Sequence, residues 1–111
     1  MRIYRIEDKD YRGPYTSRRL TETQKTRLLY SNDSPGASED FDGFGLLHVC
    51  GFKSLEDLIV WFGRDTLSKL VSLELRLCYY KVVAESVIHS RSGKQVAFIR
   101  DYAKGPFFRG L

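Results

Sequence analysis

Leu55, Leu58, Ile59 and Phe62 stand at i, i+3, i+4 and i+7, so they line one side of an α-helix. Ser54 is placed to cap that helix, and Asp57 three residues later completes a capping-box pattern. Glu56 and Asp57 both suit the positive N-terminal end. Gly63 can take the left-handed conformation that stops a helix. This is the best-marked element of the chain and carries its single Trp, Trp61. Its apolar stripe calls for a sheet to cover it.

The rest of the pattern is sparser. Residues 1–6 alternate like a strand, with Tyr4 and Ile6 inward, Arg2 at the edge of their side, and Ile3 and Arg5 facing away. The charged run from Glu7 to Asp10 ends it, and Gly13-Pro14 marks a turn. A second helix is expected over 18–29, capped by Thr16 or Ser17 and thinly apolar, with Leu20, Leu28 and Leu29. Residues 31–45 form a long loop, tacked down by Phe41 and Phe44. Asp65 or Thr66 caps a short helical turn reaching Val71.

Residues 73–83 make the strongest strand, with Leu73, Leu75, Leu77 and Tyr79 on one face and Glu74, Arg76, Cys78 and Tyr80 on the other. Val82-Val83 break the alternation, which predicts a bulge or cover on both faces. A connecting turn over 84–89 and a turn at Ser90-Arg91-Ser92-Gly93 lead to a strand over 94–100 with Val96 and Phe98 inward. Pro106-Phe107-Phe108 is too apolar to hang free, so the tail docks on its own subunit or, as a homodimer, on a neighbour. The order strand–helix–helix–strand–strand predicts an α+β fold. One compact domain over 1–111 is expected, with a small, mainly antiparallel sheet and the central amphipathic helix packed on it.

Composition narrows the function classes. The 111 residues are 42% hydrophobic and 29% charged, which fits a globular chain with a real core. Seven Tyr and seven Phe are more than such a core needs, so some belong to an interface. A net charge of +4 and a pI near 9.2 favour acidic partners and exclude an acidic mimic of DNA. Cys50 and Cys78 read as buried thiols in a reducing cytoplasm, without CxxC or a zinc spacing. No apolar run reaches the roughly 20 residues of a membrane span. No membrane partner, metal or cofactor is expected.

Candidate chemistry is limited. His48 and His89 are the acid–base candidates, but neither has a Ser or Cys neighbour in a nucleophile–base pattern. Ser54 and the free amides after it, beside Lys53, offer an anion site that Glu56 and Asp57 oppose. Arg12, Arg18, Arg19, Lys25 and Arg27 interleave with Tyr11, Tyr15 and Tyr30, a mixture suited to a protein surface or to the phosphates and bases of nucleic acid. The competing reading is a solvated helix face.

Tyr4-Arg5-Ile6-Glu7, Gly13-Pro14-Tyr15, the run 51–58 and Trp61-Phe62 resemble small accessory proteins of phages and prophages. That resemblance implies a non-enzymatic, anti-CRISPR-like inhibitor or modulator that binds a host or defence-system protein in the bacterial cytoplasm. A fainter resemblance is to the ADP-ribosyltransferase-like fold, carried by Arg2 or Arg5, by Phe52-Lys53-Ser54 and by the run 93–98. It implies a nucleotide site using Arg5, Ser54 and Gln95. Gln95 stands where that family has its catalytic Glu, and an amide cannot stabilise the positive charge of the reacting ribose. Glu85 is the displaced acid that would have to substitute. Nucleic-acid binding through the basic helix is the further alternative.

Overall fold

The chain builds two three-stranded antiparallel sheets where its pattern suggests one. The structure is a computed structural model and describes residues 1–30 and 40–110. In chain order the elements are β1 (Arg2–Glu7), α1 (Glu22–Leu29), β2 (His48–Gly51), α2 (Leu55–Phe62), α3 (Arg64–Ser72), β3 (Arg76–Lys81), β4 (Ile88–His89), β5 (Val96–Ile99) and β6 (Lys104–Phe108). Short 3₁₀ turns cover Ala84–Ser86 and Arg100–Tyr102. One sheet has the order β1-β3-β6 and the other β2-β5-β4. The fold is α+β. The first part of the expected 31–45 loop, residues 31–39, lies outside the described residues.

Tyr4 and Phe52 exchange backbone hydrogen bonds of 2.7 and 2.9 Å and tie the two sheets together. Ile6 and Leu77 on one side of the first sheet join a core with Leu58, Leu67 and Leu70 of the helices. Ile3, Cys78 and Tyr80 on the other side join a second core with Val96 and Phe98 of β5. Ile3 and Arg5 therefore do not face solvent as alternation alone suggests, because the second sheet covers their side. The same cover explains why Glu7 belongs to β1 and is fully buried.

The helices depart from the pattern mainly at their ends. α1 starts at Glu22, not near 18, because Thr21 and Gln24 close a full capping box with bonds of 2.8 and 3.1 Å. Ser17 does not cap this helix: its hydroxyl donates to Asp8 at 2.6 Å and accepts the Arg19 N–H at 3.1 Å, in the turn before it. α2 keeps its expected cap and stop, but of the capping box only the Ser54 half forms. Ser54 Oγ accepts the Asp57 N–H at 3.0 Å, and Gly63, at φ +83°, closes the helix through a bond to the Ile59 carbonyl. α3 begins immediately at Arg64 with no side-chain cap, so Asp65 and Thr66 lie inside it.

Leu73 is the C-cap of α3 rather than the start of a strand, and β3 is correspondingly short. The irregular register against β6 falls between Tyr79 and Lys81, before the Val82-Val83 step that hints at it. The apolar tail docks as β6 on its own sheet. Pro106 and Lys104 on this edge strand discourage further strand pairing. β2 and β4 are too short to carry a pattern of their own. Among the described residues, no helix is long and apolar enough to cross a membrane.

Candidate interaction surface

Alternation puts Arg2, Tyr4 and Ile6 of β1 on one side, and the register sets them opposite Lys81, Tyr79 and Leu77 of β3. The helices cover the Ile6–Leu77 end and leave the other end open. β6 then places Phe107 opposite Tyr79. Tyr4, Tyr79 and Phe107 thus form a row across three strands, with centroids 5.9 and 5.3 Å apart. Tyr4 and Tyr79 are half-buried and Phe107 is exposed.

Cations flank the row on both sides. The Arg2 guanidinium lies 4.5 Å from the Tyr79 centroid, Lys81 Nζ 5.3 Å from that of Phe107, and the Arg109 guanidinium 6.0 Å from that of Tyr4. Arg109 follows β6, and its N–H bonds to the Leu77 carbonyl, so it sits beyond the row from Arg2 and Lys81. All three cations are exposed, and none has an ion-pair partner among the described residues. Among the described residues, this positive charge beside aromatic surface is left without an anionic partner.

This face uses none of the residues singled out in the basic stretch. Tyr11 is exposed at φ +64° and the Arg12 guanidinium reaches the Thr16 carbonyl at 3.5 Å. Tyr15 packs inward: its hydroxyl accepts the Trp61 indole N–H at 3.0 Å, and its ring lies against Tyr30 and Phe62. Burial, only partly offset by that bond, raises its phenol above the ordinary range. Lys25 is buried along its stem and meets Glu22 at 3.5 Å, while Arg19 pairs with Glu74 at 2.6 Å. Arg18 and Arg27 are exposed; Arg27 borders a shallow depression of about 360 Å³ with Glu22, Thr23 and Thr26.

Arg5, Ser54 and Gln95 are each committed to separate internal partners. Arg5 donates to Glu7 at 2.6 Å and to the Cys50 carbonyl. Ser54 caps α2. Gln95 is buried, its N–H on Ser90 Oγ at 3.0 Å and its amide 3.5 Å from Asp40. Glu85 is exposed on the first 3₁₀ turn. His48 accepts the Gly45 N–H through Nδ1 at 3.0 Å, and His89 is exposed on β4. Cys50 and Cys78 are free thiols. Among the described residues, no cluster of His, Cys, Asp and Glu could hold a metal.

Two features escape a local reading. Glu7 is a buried hub that accepts from Arg5 at 2.6 Å, from Arg100 at 3.1 Å and from the Tyr80 hydroxyl at 2.9 Å. Burial and the charge of Glu7 together push the Tyr80 phenol up. The hub links β1 and β3 to the turn after β5, and its carboxylate is fully engaged. The second feature is the ring row, for which the chain holds an unread signal. Arg2-x-Tyr4, Tyr79-x-Lys81 and Phe107-x-Arg109 each place a cation two residues from a ring, which is the same face of a strand.

The class the structure defines is a small α+β protein with an open aromatic and cationic sheet face. The match to known proteins gives its family. Residues 1–106 match the family described as Bacteriophage T4 Y00F protein, and the chain belongs to that phage family. No curated protein and no solved structure matches it.

Proposed function

We propose that this phage protein works without catalysis, as a binding protein that modulates host or defence machinery by occupying an anionic surface of it. The open row Tyr4–Tyr79–Phe107 with Arg2, Lys81 and Arg109 carries this reading. Rings supply rigid contact area, and unpaired cations select the sign of the partner and speed its capture. Membership of a phage family supports a target in the infected cell.

The test is affinity capture from host extract, comparing the wild-type chain with Arg2→Gln/Lys81→Gln and with Arg18→Gln/Arg27→Gln on the basic stretch. The expected result is one complex of fixed stoichiometry, lost in the sheet variant and kept in the helix variant. Capture that survives the sheet variant, or no complex at all, overturns the reading.

A further inference from the structure

From the ring row and its cations we infer that the occupant of this face is a single strand of nucleic acid; the inference rests on the surface reading above. Against an acidic patch on a protein the rings supply contact area only, and their alignment across three strands has no particular use. A single strand uses both parts. Its unpaired bases have faces to stack on aromatic side chains or on guanidinium planes, and its phosphates need neutralising charge alongside. Here the charge lies on both sides of the rings, with Arg2 and Lys81 beyond one flank and Arg109 beyond the other. A strand laid along the row from Tyr4 to Phe107 meets phosphate-binding groups whichever way its backbone leans.

The resting state of the face suits this role. The cations rest over the rings, and an exposed cation–π contact is worth only about 0.5–1 kcal/mol, so turning Arg2 or Lys81 toward a phosphate costs little. Duplexes are excluded as the preferred ligand because their bases stay stacked inside and present no free face to the rings. Glu7, the acid of β1, lies on the opposite side of the sheet and is paired with Arg5 and Arg100, so it does not repel a strand here.

The experiment is fluorescence anisotropy of the full chain with labelled oligo-dT and oligo-rU of about ten nucleotides, against a duplex, at several salt concentrations. Binding of a single strand with a log–log salt slope near −2 is expected, from about three neutralised phosphates at ~0.7 each. Tyr79→Leu should weaken affinity about tenfold or more. Arg2→Gln/Lys81→Gln, exposed positions that leave the fold intact, should flatten the slope by about 1.4. Arg18→Gln/Arg27→Gln should change nothing. Binding indifferent to the sheet variants, or preference for the duplex, overturns the inference. So does silence toward all oligonucleotides, and if a nuclease-treated extract then still yields a complex that depends on Arg2 and Lys81, a protein partner replaces the strand while the surface reading stands. With no complex either, both fall.

Discussion

Gly51 lies so close beneath Ile3 that a β-carbon placed on it would stand 2.4 Å from Ile3 Cγ2 and 2.9 Å from the Tyr4 carbonyl oxygen. The side of β1 that carries Ile3 is pressed onto the end of β2, one residue before Phe52 makes its two bonds to Tyr4. Gly51→Ala must push a buried side chain and a backbone carbonyl aside together. Overpacking of this kind costs about 1–3 kcal/mol, or more where backbone resists. For a chain of this size the melting temperature should fall by roughly 5–15 °C. An unchanged midpoint in a thermal scan followed by circular dichroism would show that the sheets are not held this tightly.

The Glu7 hub makes a second, graded expectation. Glu7→Gln keeps the shape but leaves the buried Arg5 guanidinium without its anion, a loss of about 3–5 kcal/mol for broken buried pairs. Arg100 keeps about a third of its side chain in water. Arg100→Gln should therefore cost much less, ~1 kcal/mol. Urea denaturation of the two variants reads the difference. Equal losses would mean that Arg5 finds enough compensation in the Cys50 carbonyl, and the hub would lose its place as the link between the sheets.

The thiols should be nearly inert in the folded protein. Burial pushes Cys50 up to about 11 and Cys78 up to about 12, from an ordinary 9.0. Only thiolate attacks a disulfide reagent, so at pH 8 Cys50 should react about 100-fold more slowly than a free thiol, and Cys78 more slowly again. Adding denaturant should release two fast equivalents. Rapid native labelling of Cys78, whose side chain is fully buried, would show that β3 opens far more readily than its position between two cores allows.

What the sequence reveals follows from how local each signal is. α2 is legible because its stripe, its Ser54 cap and its Gly63 stop all lie within ten residues. The second sheet is not, because β2 and β4 run four and two residues and show no period. Nor is the inward turn of Arg5 and Glu7 legible: two charged residues read as solvent-facing until they pair with each other and further partners arrive, the Tyr80 hydroxyl from β3 and the Arg100 guanidinium from beyond β5. The site fails for the same reason. Tyr4, Tyr79 and Phe107 meet only through the registers of three strands. Each cation–x–ring step is visible, but which steps share a face depends on pairings far apart in the chain. Tyr15 and Lys25 look like surface residues by composition, yet Trp61 and the helical core draw them in.

Acid stability should depend on two carboxylates. Burial works against the charged form of Asp8, but bonds from the Ser17 hydroxyl at 2.6 Å and from the Arg12 and Asp10 amides, with the Arg12 charge nearby, hold it below its ordinary 3.8. Burial likewise opposes Asp40, and Ser92, through its hydroxyl at 2.6 Å and its amide at 2.8 Å, with Gln95 and Ser90, outweighs it. A carboxylate with a depressed folded pKa binds fewer protons in the folded than in the unfolded chain. Its stabilising contribution is complete above the unfolded value and disappears as pH drops through the folded one. Denaturation midpoints should thus be insensitive to these groups at neutral pH and fall steeply below about 4. Asp8→Asn can still accept the amide bonds and, with the Ser17 hydroxyl reversed, keep that contact, but it no longer titrates. It should lower stability at pH 7 and flatten part of the acid slope. A variant that keeps the full slope between pH 4 and 2 would show that the acid limb is set by other carboxylates.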